Sequence, residues 1–220
     1  MVVAGYPDCG NYETFIYLTM SRPFLTLLML LGMSGGYAQQ NVPSGYMDSI
    51  KAFRADYIQT HELLTTAEQK ALLRFYPLNP SYRVVTRFEK YADSPWFAMA
   101  TSGAGHQIQR KYGRLTMVLH DTTIHLMIYQ SQALLQKAET RDYLFVPFTD
   151  ATSGAGSYAA GRYIDCQVGD IHGSQMVLDF NKAYNPYCAY TTGYNCPLPP
   201  RENDLPVAIY AGEKNYGKEH

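Results

Sequence analysis

Apolar residues near position 50 recur at helical spacing, and two helices are predicted in this region. One helical face is formed by Tyr46, Ile50, Phe53 and Tyr57. Their spacing predicts a helix over residues 46–60, with Ser44 as its cap. The sequence from Thr65 to Glu68 is typical of a capping box and predicts a second short helix that ends before Pro77.

From Tyr82 onward the apolar positions alternate, which is typical of strands. The clearest hairpin runs from Arg114 to Gln130 and turns at His120–Asp121, with the apolar positions of both arms on one face. A helical turn is expected within Ser131–Ala138. Other strands are predicted at 82–89, 95–101, 143–148, 158–168, 175–180 and 206–210. The expected fold is mainly β, an antiparallel β-sandwich or partly closed barrel with a short two-helix N-terminal arm.

The residues before this domain have the pattern of an export signal. Arg22 precedes an apolar run that ends near Leu31, and small residues follow up to Ala38. This pattern predicts a signal peptide at 20–38 with cleavage after Ala38. Residues 1–19 are interpreted as an extension upstream of the true start. The expected mature protein is a single β-rich domain at 39–220, secreted or periplasmic. The apolar run falls short of the about 20 residues that span a bilayer, so no stable membrane insertion is expected.

Charge and composition narrow the range of partners. The formal net charge is -1 and no long basic run occurs, so nucleic acid is not expected as a partner. The chain contains 20 Tyr against 9 Phe. Tyrosine favours strands and also provides amphipathic surface for sugars or partner proteins. The histidines show no metal-ligand spacing, and we expect neither a metal nor a cofactor.

Export changes the interpretation of the cysteines. In an oxidising compartment Cys188 and Cys196 are expected to form a disulfide that closes a short loop. Cys166 lies in an apolar strand pattern and is expected to be buried and unreactive.

Polar residues accumulate in the C-terminal third and provide the candidate site. The stretch from 179 to 203 contains several prolines, which lack a backbone donor, so it cannot join a sheet along its whole length. Long irregular segments of this kind are usually functional or cross-linked. The candidate pocket or clamp residues are Tyr158, Arg162, Asp165, Asp179, Asn181, Asn185, Glu202 and Asn203.

Arg162 has two possible roles in this set. It could form a buried clamp with Asp179 or Glu202 that holds the proline-rich segment. Alternatively, it could bind an anionic ligand in a pocket where one of these carboxylates acts as acid or base.

The same region contains a dense set of short motifs. They are Phe145-Val-Pro-Phe-Thr-Asp150, Gly161-Arg-Tyr-Ile-Asp165, Asp179-Phe-Asn-Lys-Ala-Tyr-Asn-Pro-Tyr-Cys188, Cys196-Pro-Leu-Pro-Pro200, Glu202-Asn203 and Ala211-Gly-Glu-Lys214. Through these motifs the chain from about Tyr46 to Lys214 resembles a known bacterial family, the domain of unknown function 1684. The resemblance implies no activity.

Two functions are therefore compared with the structure below. The first is a secreted binding or accessory domain for a small ligand, a glycan or a partner protein. The second is a secreted enzyme, such as a hydrolase, with a pocket formed by Arg162, Asp179 and Glu202.

Overall fold

A computed structural model describes residues 42–217 and contains eight strands and three α-helices within that range. The predicted extension at 1–19, the signal peptide at 20–38 and its cleavage site lie outside the described residues. None of the helices within 42–217 is long and apolar enough to cross a membrane. The helices are α1 (Tyr46–Thr60), α2 (Ala67–Lys70) and α3 (Gln132–Leu135). The strands are β1 (Arg83–Lys90), β2 (Phe97–Ala100), β3 (His106–Leu119), β4 (Thr122–Ser131), β5 (Tyr143–Phe148), β6 (Arg162–Gln167), β7 (Ile171–His172) and β8 (Gln175–Asp179).

The predicted helical arm is confirmed, but both caps differ from the prediction. The helix α1 begins after Gly45, whose φ of 79° is left-handed, and no side chain caps it. Glycine adopts this conformation at no steric cost, and the predicted Ser44 cap is wrong because Gly45 is the residue at the cap position. In α2 the capping box lies one residue further along than predicted, because Thr66 and Gln69 bond each other's backbone amides. The helical turn predicted within Ser131–Ala138 is also confirmed, as α3.

The strands form one antiparallel sheet in the order β6-β5-β4-β3-β1-β8-β7, with β2 paired to β3. The prediction of a mainly β, antiparallel fold is confirmed. The β3–β4 hairpin turns at His120 and Asp121, whose φ values of 48° and 60° fit a tight hairpin turn. The apolar set of both arms is buried on one face, as predicted: Leu115, Met117, Leu119, Ile124, Leu126 and Ile128.

A bulge in β3 reverses which face its residues occupy. The register with β4 shifts between Lys111 and Gly113, so Tyr112 is an extra residue. Before the bulge, odd-numbered residues such as Gln109 face away from the main core; after it, odd-numbered residues such as Leu115 belong to it. A Cβ on Gly113 would lie 2.4 Å from the Phe88 ring, so this strand position requires glycine.

The predicted strand at 206–210 is wrong. This segment is irregular, although Ile209 is buried in the main core as a strand residue would be. Its backbone bonds to side chains instead of to a neighbouring strand. The Ile209 amide donates to Asp150 Oδ1 at 3.1 Å, and the Tyr210 amide donates to the Tyr82 hydroxyl at 3.2 Å. Because side chains satisfy these groups, the segment has no need of a sheet.

Asn203 completes the sheet where β4 and β5 cannot bond each other. The register of this pair places Met127 opposite Pro147, which has no N–H to donate. The Asn203 amide group substitutes for it: Nδ2 donates to the carbonyls of Met127 at 2.9 Å and Pro147 at 2.7 Å. Its Oδ1 accepts from the Met127 amide at 2.7 Å. One fully buried side chain therefore supplies the hydrogen bonds that a strand backbone would otherwise provide at this position.

We expect Asn203→Asp to destabilise the protein severely. The substitution keeps the shape but replaces the donor with a carboxylate oxygen that faces two carbonyls. An uncompensated buried charge of this kind costs about 3–5 kcal/mol, which urea unfolding would measure. Asn195→Asp, at an exposed position, is the control and should change the unfolding free energy by less than about 0.5 kcal/mol. Equal effects of the two substitutions would refute the strand-substitute role.

Candidate functional site

Arg162 is a fully buried clamp, but its partners are not the predicted ones. Its Nη2 donates to Asp150 Oδ2 at 2.8 Å and to the Ile209 carbonyl at 3.0 Å. Its Nη1 donates to the carbonyls of Ala211 and Glu213. The predicted carboxylate partner, Asp179 or Glu202, is therefore wrong. Arg162 fastens residues 209–213 rather than the proline-rich segment, and it does not reach a ligand site.

Asp179 and Asn181 form a second buried cluster. Both Asp179 oxygens accept from the Tyr46 hydroxyl, at 2.9 and 3.1 Å, and Oδ1 also accepts from the Asn181 amide. The Asn181 side chain donates to the Asn79 carbonyl at 2.9 Å and accepts from the Asn79 amide at 3.1 Å. This cluster ties α1 to the end of β8 and borders a groove of about 500 Å³. Its polar atoms satisfy one another, which favours a structural role.

Glu202 shares no contacts with this cluster. It accepts from the Tyr129 hydroxyl and from Lys111 Nζ, each at 2.8 Å, at a partly exposed position. Arg162, Asp179 and Glu202 thus have three separate sets of partners. The pocket predicted from these three residues is not formed.

Asn185 helps to enclose a buried carboxyl group that the sequence did not single out. The main-chain amide of Asn185 donates to Glu213 Oε2 at 2.9 Å. Oε2 also accepts from the hydroxyls of Tyr57, at 3.1 Å, and Tyr190, at 2.7 Å. Burial raises the pKa of Glu213 to about 7, although these hydrogen bonds oppose the shift. Glu213 is therefore partly protonated near neutral pH.

Tyr158 and the cysteines brace the proline-rich segment. The Tyr158 hydroxyl donates to the Cys188 carbonyl at 3.3 Å, and Cys188 forms the predicted disulfide with Cys196. Ser102 Oγ lies 3.1 Å from Cys188 Sγ and accepts from the Cys196 amide. Cys166 is a buried free thiol in the main core, as predicted, and burial raises its pKa.

Asp165 differs from the other candidates because it is exposed to a groove. Its Oδ1 accepts from the hydroxyls of Tyr143 and Tyr184, each at 2.6 Å. Loss of surrounding water raises the pKa of Asp165, and the two tyrosine bonds oppose this change. Burial also raises the pKa values of both tyrosines, which keeps them protonated as donors.

The face of the sheet opposite the main core carries a second groove beside these tyrosines. We call it the outer-face groove. It has a volume of about 410 Å³ and is lined by Gln107, Gln109, Ser131, Ala133, Leu134, Tyr143, Phe145, Tyr163, Tyr184 and Pro197. None of these side chains is charged. Four aromatic rings, two primary amides and one serine hydroxyl line the groove.

Gln109 is the polar residue of this groove that the sequence analysis missed. It is only 2% exposed, and its Oε1 has no hydrogen-bond partner among residues 42–217. Its Nε2 makes only a long bond of 3.4 Å to Gln107. A buried unpaired acceptor is costly, so its presence at a groove indicates a place where a ligand can donate a hydrogen bond. Gly113, as a marker of a bulge, was the available sequence signal for its orientation.

Comparison with known proteins agrees with the resemblance found in the sequence. The model of a protein family of unknown function, DUF1684, matches residues 70–214. The chain belongs to the DUF1684 family. The solution NMR structure of an uncharacterized protein from Haloarcula marismortui is similar, with a TM-score of 0.59 and 27% sequence identity. The match covers 77% of this chain and 94% of that chain. No curated protein matches the chain.

The DUF1684 motifs correspond mainly to the internal clamps. Asp150 is the last residue of one of these motifs, Arg162 is the second residue of another, and residues 211–213 form the third part of the same clamp. Asn203 comes from another motif and completes the sheet. The family signature is thus explained largely by the need to hold an irregular C-terminal third.

We expect substitution of Arg162 to confirm this structural role. Arg162→Ala would leave buried Asp150 without its cation and should lower the unfolding free energy by about 3–5 kcal/mol. Arg162→Lys should also be destabilising, because one ammonium cannot reproduce the planar donors that reach four acceptors. Urea unfolding measures both changes, with exposed Arg87→Ala as the control. A lysine variant as stable as the wild type would contradict the clamp.

Glu213 should make stability depend on pH. Its pKa is higher in the folded protein, about 7, than the ordinary value of 4.5, so the folded state binds this proton more tightly. The contribution is complete below about pH 4.5 and is lost as the pH rises through 7, for a total of roughly 3 kcal/mol. We expect Glu213→Gln to flatten this dependence in urea unfolding at pH 5 and pH 8. Glu139→Gln, at an exposed position, should retain it; the same slope in both variants would exclude Glu213 as its origin.

Proposed function

We propose that this protein is a secreted binding domain that holds a neutral, hydroxyl-rich small ligand or glycan in the outer-face groove. The observation that carries the proposal is the buried Gln109 Oε1, which has no partner within residues 42–217 and borders an uncharged aromatic groove. A sugar hydroxyl can donate to this oxygen if the Gln109 side chain turns toward the groove, because the oxygen itself is buried. The apolar C–H face of the sugar can pack on the rings of Tyr143 and Tyr184.

The charge of the groove favours a neutral ligand over an ionic one. An anion or a cation bound there would lose water without gaining a charged partner from the lining residues. Amide and hydroxyl groups, by contrast, match the donors and acceptors of a sugar. An extended groove with aromatic walls and few polar groups is a common form of small-molecule site.

Export is part of the same proposal. It rests on the signal-peptide pattern at 20–38 and on the Cys188–Cys196 disulfide, which is suited to an oxidising compartment. Arg162, Asp179 and Glu202 do not share a pocket, so their arrangement does not support the enzyme alternative.

The test is titration of the purified protein with neutral oligosaccharides built from glucose, xylose and N-acetylglucosamine, followed by NMR. We expect at least one series to bind saturably. Gln109→Leu should weaken that binding about tenfold or more, which corresponds to about 1.4 kcal/mol. The same variant should unfold at equal or higher urea concentration than the wild type, because it removes a buried unpaired oxygen.

Gln175→Leu is the matched control, because Gln175 is an exposed β8 residue outside the groove. It should bind as the wild type does. Absence of binding across the panel at millimolar concentration, or unchanged binding by Gln109→Leu, would refute the proposal.

A further inference from the structure

A separate groove lies between α1 and the segment that follows β8. We call it the helix groove. It has a volume of about 380 Å³ and is lined by Phe53, Tyr57, Thr60, His61, Glu62, Asp165, Lys182, Tyr184, Asn185 and Tyr187. Only Tyr184 is shared with the outer-face groove. Unlike that groove, the helix groove contains carboxylates.

Two carboxylates of the helix groove each have an oxygen that residues 42–217 do not use, and a third unpaired oxygen is buried beside the groove. Both tyrosine hydroxyls that bond Asp165 donate to Oδ1, and Oδ2 has no hydrogen-bond partner among residues 42–217. Asn185 is 1% exposed, and its buried Oδ1 is also without a partner in this range, while its Nδ2 donates to the Lys214 carbonyl. Glu62 uses only Oε2, which accepts from Tyr187. A ligand for this groove must therefore donate hydrogen bonds.

The charges in the groove favour a cationic donor. Glu62 and Asp165 contribute two negative charges, and Lys182 contributes one positive charge. Burial and the nearby Lys70 lower the pKa of His61, which leaves its ring neutral at pH 7. The formal charge of the lining is thus -1. Lys182 itself lies over Phe53, with Nζ 5.2 Å from the ring centroid, so a cation of the chain already uses one aromatic wall.

The remaining walls are also suited to a cation. Tyr57, Tyr184 and Tyr187 line the groove, and tyrosine rings attract ammonium and guanidinium groups that approach their faces. The hydroxyls of these tyrosines are directed to carboxylates, to Glu213, Asp165 and Glu62 respectively. Their ring positions are therefore fixed before any ligand arrives.

We propose that the helix groove binds an organic ammonium or guanidinium ion, with Asp165 Oδ2 as its principal acceptor. Glu62 adds charge at the rim, and the tyrosine rings enclose the cation. This inference does not depend on the proposed function, because it concerns another groove, another ligand class and another principal acceptor, although Tyr184 lines both grooves. The two sites can therefore be tested separately.

The test is an NMR titration of the purified protein with methylguanidinium chloride at low ionic strength, and with N-methylurea as its neutral counterpart. We expect saturable shifts at the helix groove with methylguanidinium, weakened by added salt, and none with N-methylurea. Asp165→Asn should weaken the binding at least tenfold. Asp93→Asn removes the same charge at an exposed turn and should bind as the wild type does.

Three results would overturn the proposal. These are absence of saturable methylguanidinium binding, equal binding of N-methylurea, and unchanged binding by Asp165→Asn. If Asp165→Asn fails to fold, Glu62→Gln decides, because Glu62 is exposed and its replacement should leave the fold intact. Weaker binding by Glu62→Gln supports the site, and unchanged binding overturns it.

Discussion

The contact between Arg162 and Asp150 is the constraint on which the C-terminal part of the fold depends. Both side chains are almost completely excluded from solvent, so each charge needs a full set of hydrogen bonds. Asp150 supplies one partner, and the backbone carbonyls of 209–213 supply the others. The irregular segment and Asp150 thus bind both Nη atoms of the buried cation, while its Nε has no partner among residues 42–217. The cation in turn binds carbonyls that no neighbouring strand reaches. Neither can be buried without the other.

The same exchange between side chains and backbone recurs across the molecule. Asn203 provides the donor that Pro147 lacks, and tyrosine hydroxyls donate to most of the carboxylates described above. The tyrosine–carboxylate contacts are Tyr46–Asp179, Tyr57–Glu213, Tyr190–Glu213, Tyr129–Glu202, Tyr143–Asp165, Tyr184–Asp165 and Tyr187–Glu62. The abundance of tyrosine in the sequence therefore has a structural cause beyond strand propensity. A phenylalanine would fill the same space but leave the carboxylate without its donor.

Periodicity predicted those elements whose burial follows a regular repeat. The helix at 46–60 and the β3–β4 hairpin are correct because one continuous face of each is buried. The segment 206–210 gave the same alternating signal, but burial of alternate residues does not require a strand partner. The partner of Arg162 was missed because the proline-rich segment was expected to supply the carboxylate, whereas Asp150 lies outside that segment, two residues after β5. Gln109 was missed because the predicted hairpin began at Arg114, whereas β3 begins at His106. The bulge at Tyr112 changes the phase of the strand between these two points, and alternation alone cannot locate such a shift.

The side chains that hold the fold together are largely distinct from those that line the grooves. Asp150, Arg162 and Asn203 bond only to other parts of the chain, and substitution at these positions affects the whole fold. Gln109 lies outside the family motifs quoted above and makes only one weak side-chain bond, so its replacement disturbs little besides the groove. Asp165 combines the features of a clamp residue and a groove residue. One of its oxygens accepts from two tyrosines, and the other has no partner in the described chain. Substitutions at the groove residues can therefore change the polar groups that line the grooves while every clamp of this chain is retained. The clamps determine the scaffold, and the groove residues determine the chemistry of its surface.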